Sequence, residues 1–195
     1  MPLRSYPNGA QTDYTRSGKN KLAMTASILL TTFDIWLPHH VTNSSDDLIL
    51  EVLQREPLAD CHLIRKLEVD FDLAPQKTIA CIQTLRPKLI VCCGMAEKRS
   101  RLSVESGASW NGQRLNTVLS LDQLIAGLAH TEISHDAGVF VCNRLYYEIL
   151  HSLKTADLGH NRCIFVHVPI LVPENRGAIV QDFLTLLDRL RGLIL

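Results

Sequence analysis

No apolar run in this chain approaches the ~20 residues that a membrane-crossing helix needs. Charge of one sign is missing too. Twenty Lys and Arg stand against twenty Asp and Glu in 195 residues, whereas a general nucleic-acid binder would carry a basic excess. Ten glycines and eight prolines are too few for a collagen-like or low-complexity chain. No CxxC pair occurs. The six cysteines (Cys61, Cys81, Cys92, Cys93, Cys142 and Cys163) are scattered. This reads as a reduced, cytoplasmic chain rather than a disulfide scaffold or a zinc module. GxGxxG and P-loop patterns are lacking as well, so nucleotide binding is not expected and no cofactor is called for.

What is present fits a globular protein. Apolar residues make up 46% and charged residues 21%, and the length suffices to bury a proper core. Residues 1–23 read differently from the rest. They hold Arg4, Arg16, Lys19 and Lys21 against Asp13 alone. Their polar, turn-rich text predicts a disordered tail, with Met24 as a candidate true start. Residues 24–195 read as one domain without an internal linker or repeat.

Within that stretch, strand-like and helical patterns alternate. Strands are expected at 27–33, 61–69, 88–94, 102–110 and 163–168, from apolar or alternating runs. Helices are expected at 45–53, from Pro75 to Leu85, opening at Ser120, at 138–153 and at 178–190. Ser45 is a candidate cap for the first of these, and Ser120 with Gln123 a candidate capping box. Such alternation predicts an α/β fold: three αβα layers, with a mostly parallel twisted sheet covered by helices on both faces.

In open α/β sheets, active sites lie beyond the carboxyl ends of the strands. Gly94 ends one strand and His167 lies at the end of another. Cys142 falls in the first turn of a helix, where the dipole favours a thiolate. A Cys and a His brought together by the fold, with a carboxylate such as Glu105 to orient the imidazole, form a nucleophilic unit. The other cysteines on apolar faces read as small buried hydrophobes. His39-His40 reads as a surface loop pair, not a metal site, and Asp136 as a loop-capping carboxylate.

Three segments carry more. Ile133 to Asn143 reads ISHDAGVFVCN, Phe165 to Pro169 reads FVHVP, and Ser103 to Glu105 reads SVE. Together they resemble the pyroglutamyl peptidase I family, also called pyrrolidone carboxylate peptidase, over roughly residues 27–190. The first is similar to its nucleophile motif, the second to its catalytic-histidine strand, and the third to the segment supplying its glutamate. Thr31 to Trp36 occupies the place of its first-strand loop, and Asn43-Ser44-Ser45 is similar to its Asn-Pro-Ser turn.

The resemblance implies an omega-peptidase that removes an N-terminal pyroglutamate, with a small peptide as substrate and a homo-oligomer as a candidate assembly. Cys142 would be the nucleophile, His167 the base and then the acid, and Glu105 the orienter of His167. Phe33, Trp36, Phe140 and Val141 would line a lactam pocket beside Met95. Departures stand beside these matches. Met95 replaces a glutamine, Glu97-Lys98 a glycine pair, Thr32 a glycine, Ile35 a proline and Trp36 a phenylalanine. The stretch from Trp110 to Leu121 is shortened, which predicts a more open cleft. The alternatives are a catalytically weak relative that binds a small ligand or partner protein, and a hydrolase of another small lactam or amide.

Overall fold

The computed structural model describes residues 27–155 and 162–194. The expected tail at 1–23 and the candidate start at Met24 lie outside the described residues. Six strands form the main sheet: β1 (Ile28–Phe33), β2 (Cys61–Leu67), β3 (Leu89–Met95), β4 (Leu102–Glu105), β7 (Thr131–Ser134) and β8 (Arg162–Val168). Their order is β2-β1-β3-β8-β4-β7. All neighbouring strands pair in parallel except β4 and β8, which pair antiparallel. The central strands β1, β3 and β8 are buried along nearly their whole length, which is why their residues are apolar on both faces.

Helices cover both sides. On one face α1 (Ser44–Arg55), α3 (Leu121–Ile125) and α5 (Pro173–Gly192) bury Leu48, Ile49, Leu124, Phe183 and Leu187 against Ile28, Leu30, Val91, Ile164 and Val166. On the other, α2 (Leu73–Leu85) and α4 (Val141–Thr155) bury Ile82, Leu145, Tyr146 and Ile149 against Leu29, Ile90, Cys92 and Phe165. The three-layer α/β architecture is therefore the one expected. No helix among the described residues is long and apolar enough to cross a membrane.

Several local expectations change. Asn43, not Ser45, caps α1: its side chain accepts the Ser45 N–H. Ser120 precedes α3 without a side-chain capping bond. The strand expected at 102–110 is two strands. β4 ends at Glu105, and β5 (Gly107–Trp110) leaves the main sheet to pair with β6 (Gln113–Asn116) in a separate hairpin. Its turn residues, Asn111 and Gly112, both have positive φ (49° and 76°), as a type I′ turn requires. The hairpin is tied to α4 through Asn143, whose amide accepts the Ser109 N–H at 2.9 Å and donates to the Ser109 carbonyl at 2.7 Å.

Candidate active site

The site lies where β3 and β8 end beside the first turn of α4. Gly94 and His167 are register partners on adjacent parallel strands, so their substituents leave the sheet on the same side. A Cβ on Gly94 would stand 2.6 Å from Cys142 Sγ and 2.9 Å from the ring of Phe165. Phe165, two residues before His167, shares that side and packs against it with ring centroids 4.9 Å apart. The glycine thus makes room for the thiol, and the thiol sits on the same face as His167.

Glu105 arrives by the antiparallel step. It pairs with Phe165, so His167 is its diagonal neighbour on the same face. Its Oε1 lies 2.7 Å from His167 Nδ1. The carboxyl is fully buried. Burial pushes Glu105 up, but the hydrogen bond and charge of His167 and the charge of Arg99 outweigh it, so its pKa falls below the ordinary value. An ionised carboxylate only accepts, so Nδ1 is the donor in this bond.

Arg99, in the turn after β3, was not foreseen. One terminal guanidinium nitrogen donates to Glu105 Oε1 at 2.7 Å and the other to the Asp136 carbonyl at 2.8 Å. It links the buried carboxylate to the loop that leads into α4. Its only mark in the sequence is a place in the basic run Lys98 to Arg101, which reads like a solvated turn. In that loop, the Asp136 side chain accepts the Gly138 N–H at 2.9 Å, as a loop cap does.

Cys142, His167 and Arg99 open onto one cavity of about 450 Å³, with Trp36, Met95 and Phe140 in its wall. Trp36 and Phe140 face each other with centroids 4.5 Å apart. Phe33 and Val141, expected along the ring slot, are not among its lining side chains. Both are almost fully buried in the α2/α4-side core, because every β1 position is covered and Val141 begins α4 facing inward.

The thiol departs from the favoured thiolate expected at a helix start. Burial pushes Cys142 up to about 12, and the nearby Cys92 and Glu105 add to the rise. Its own backbone N–H and Arg99 pull the other way without prevailing. The resting group is therefore a thiol. Cys92, Cys93 and Cys163 are buried in the sheet.

Fold and site define a class: an α/β protein with a cysteine and a carboxylate-bound histidine opening on one cavity. The pyroglutamyl peptidase family model matches residues 119–182. A pyrrolidone-carboxylate peptidase of Cupriavidus taiwanensis is 26% identical over 86% of this chain and 89% of its own length. One from Vibrio vulnificus is 42% identical over a shorter stretch, 32% of this chain and 27% of its own. Among solved structures, a mutant pyrrolidone carboxyl peptidase of Pyrococcus furiosus superposes with a TM-score of 0.71 at 18% identity, over 86% of this chain and 99% of that one. The pyroglutamyl peptidase I of Bacillus amyloliquefaciens gives 0.65 at 19% identity, over 81% and 91%. Over most of its length the chain is similar to pyrrolidone-carboxylate peptidases, and it shares the fold of pyroglutamyl peptidase I.

Proposed function

We propose that this chain is a cysteine omega-peptidase that removes N-terminal pyroglutamate from peptides, with Cys142 as nucleophile, His167 as base and then acid, and Glu105 orienting His167. The observation that carries the reading is the 2.7 Å bond from His167 Nδ1 to the buried Glu105 carboxylate, with Cys142 and His167 lining the same cavity.

The chemistry follows from the resting proton positions. A thiol raised to about 12 is a poor nucleophile, so His167 Nε2 takes its proton as Sγ attacks the pyroglutamyl carbonyl. The imidazolium that forms is stabilised by Glu105. The oxyanion is held by backbone N–H groups at the start of α4, which lack intrahelical acceptors. Collapse breaks the C–N bond, and His167 protonates the departing amine. A thioester on Cys142 remains. Water, deprotonated by His167, then attacks it and releases free pyroglutamate and the thiol. Trp36 and Phe140 supply an apolar wall suited to an uncharged five-membered lactam.

The test is hydrolysis of a pyroglutamyl anilide by the full chain and by Cys142→Ala. Activity should be measurable in the first and fall about 1,000-fold or more in the second. Equal rates in both, or no hydrolysis by a correctly folded full chain, would reject the reading.

A further inference from the structure

The rim of the cavity carries a second cluster of reactive side chains that the proposed chemistry does not use. His39 and His40 lie in the loop after β1, and Glu97 in the turn after β3. His40 Nε2 stands 3.0 Å from Glu97 Oε2, and His39 Nε2 3.7 Å from the same oxygen. Each of the three offers one donor atom, and these atoms all lie within 4.8 Å of one another. Zinc bonds of ~2.0–2.1 Å to imidazole and carboxylate, at tetrahedral angles, place neighbouring donor atoms roughly 3.3 Å apart. The two distances to Glu97 Oε2 bracket that value, and the third separation, between the two imidazoles, is under 4.8 Å.

The ligand types also agree. Two imidazoles and one carboxylate form a common borderline-soft set for zinc-class ions. The His40 side chain is only 7% exposed, and its Nδ1 has no partner among the described residues. The ring is therefore held in place by packing, with Glu97 as its side-chain hydrogen-bond partner. Glu97 itself belongs to the Glu97-Lys98 pair that departs from the family resemblance.

We propose that His39, His40 and Glu97 form a binding site for a zinc-class divalent cation at the cavity rim. The ion would clamp the loop after β1, which carries Trp36, to the turn after β3, which carries Arg99. Three protein ligands leave a fourth position for water or a ligand atom. This inference does not rest on the peptidase reading, since its readout is metal binding and not turnover.

The experiment is equilibrium dialysis of the full chain against buffered Zn2+, with thiols first blocked by iodoacetamide, and a parallel Co2+ titration followed by visible absorption. The expected result is one bound ion per chain, with a tetrahedral cobalt band that lacks thiolate charge transfer. His39→Ala and Glu97→Gln, both at exposed positions, should each weaken binding at least about 10-fold. Zn2+ should raise the melting temperature of the full chain but not that of the double variant. Absence of stoichiometric binding, binding unchanged in both variants, or binding abolished by thiol blocking would each overturn the proposal.

Discussion

Asp46 and Glu105 are both buried carboxylates with an arginine partner, at two places along the same sheet. Asp46 is completely paired. Its Oδ1 accepts from Thr32 and from Arg65 Nε, and its Oδ2 from Arg65 Nη2, each at 2.8 Å. Glu105 gathers its partners on one oxygen. Oε1 takes both His167 and Arg99 at 2.7 Å, while Oε2 accepts no hydrogen bond among the described residues. The first arrangement is a joint between α1, β1 and β2. The second ties its contacts to residues that line a cavity.

The comparison is broken most sharply by neutralising each carboxylate in turn. Glu105→Gln should lower kcat on a pyroglutamyl anilide by about 10²–10⁴-fold, with KM little changed and the circular dichroism of the native fold retained. An effect smaller than tenfold would remove Glu105 from the unit.

Gly94→Ala comes next. The added methyl collides with Cys142 Sγ and Phe165, so overpacking should cost about 1–3 kcal/mol and displace the thiol from His167. Urea denaturation and the anilide assay together should register both losses. A variant with full activity would show that the thiol does not need its place over Gly94.

Asp46→Asn should do the opposite of Glu105→Gln. We expect a loss of about 2–3 kcal/mol in stability with kcat unchanged well below the melting temperature. Its acid dependence follows from sign. Burial pushes Asp46 up, but hydrogen bonds from Arg65 and Thr32 hold it below the ordinary value. A depressed carboxylate stabilises the fold fully above the unfolded pKa of about 3.9, and that contribution is lost as pH falls through the folded value. The stability gap between the parent and Asp46→Asn should therefore narrow below about pH 4. A constant gap would mean that the ionised carboxylate is not what stabilises this joint.

Met95→Gln should give the smallest effect, raising kcat/KM about two- to tenfold if the restored amide reaches the lactam. An unchanged value would place the ring away from Met95.

How much of this was legible in the sequence depended on whether a signal was local. The run from Lys88 to Gly94 announced β3 because apolar residues on both faces have few other uses. The Cys142 and His167 motifs stood out because each lies within a few residues of its own strand end or helix start. Glu105 was named, but its contact with His167 depends on β4 running against β8, which no short-range pattern encodes. The division between β4 and β5 was missed because Ser103 to Trp110 reads as continuous strand. Asn111-Gly112 was the hairpin signal that would have marked the second sheet. Phe33 was assigned to the slot because a strand-end aromatic looks the same whether it faces a cavity or a helix. Cys142 shows the same limit for energetics: its helix position was readable, whereas the burial that outweighs the dipole belongs to the folded packing.

The central claim is that the Cys142 thiol, activated by His167 on Glu105, carries the acyl group. Its most direct test is to mix the full chain with a pyroglutamyl ester, quench in acid within one turnover, and map the modified peptide by mass spectrometry. The account predicts a hydroxylamine-labile pyroglutamyl group on Cys142, which forms far more slowly in Glu105→Gln. An acyl group on any other residue, or turnover with no acyl-enzyme and no dependence on Cys142, would contradict it.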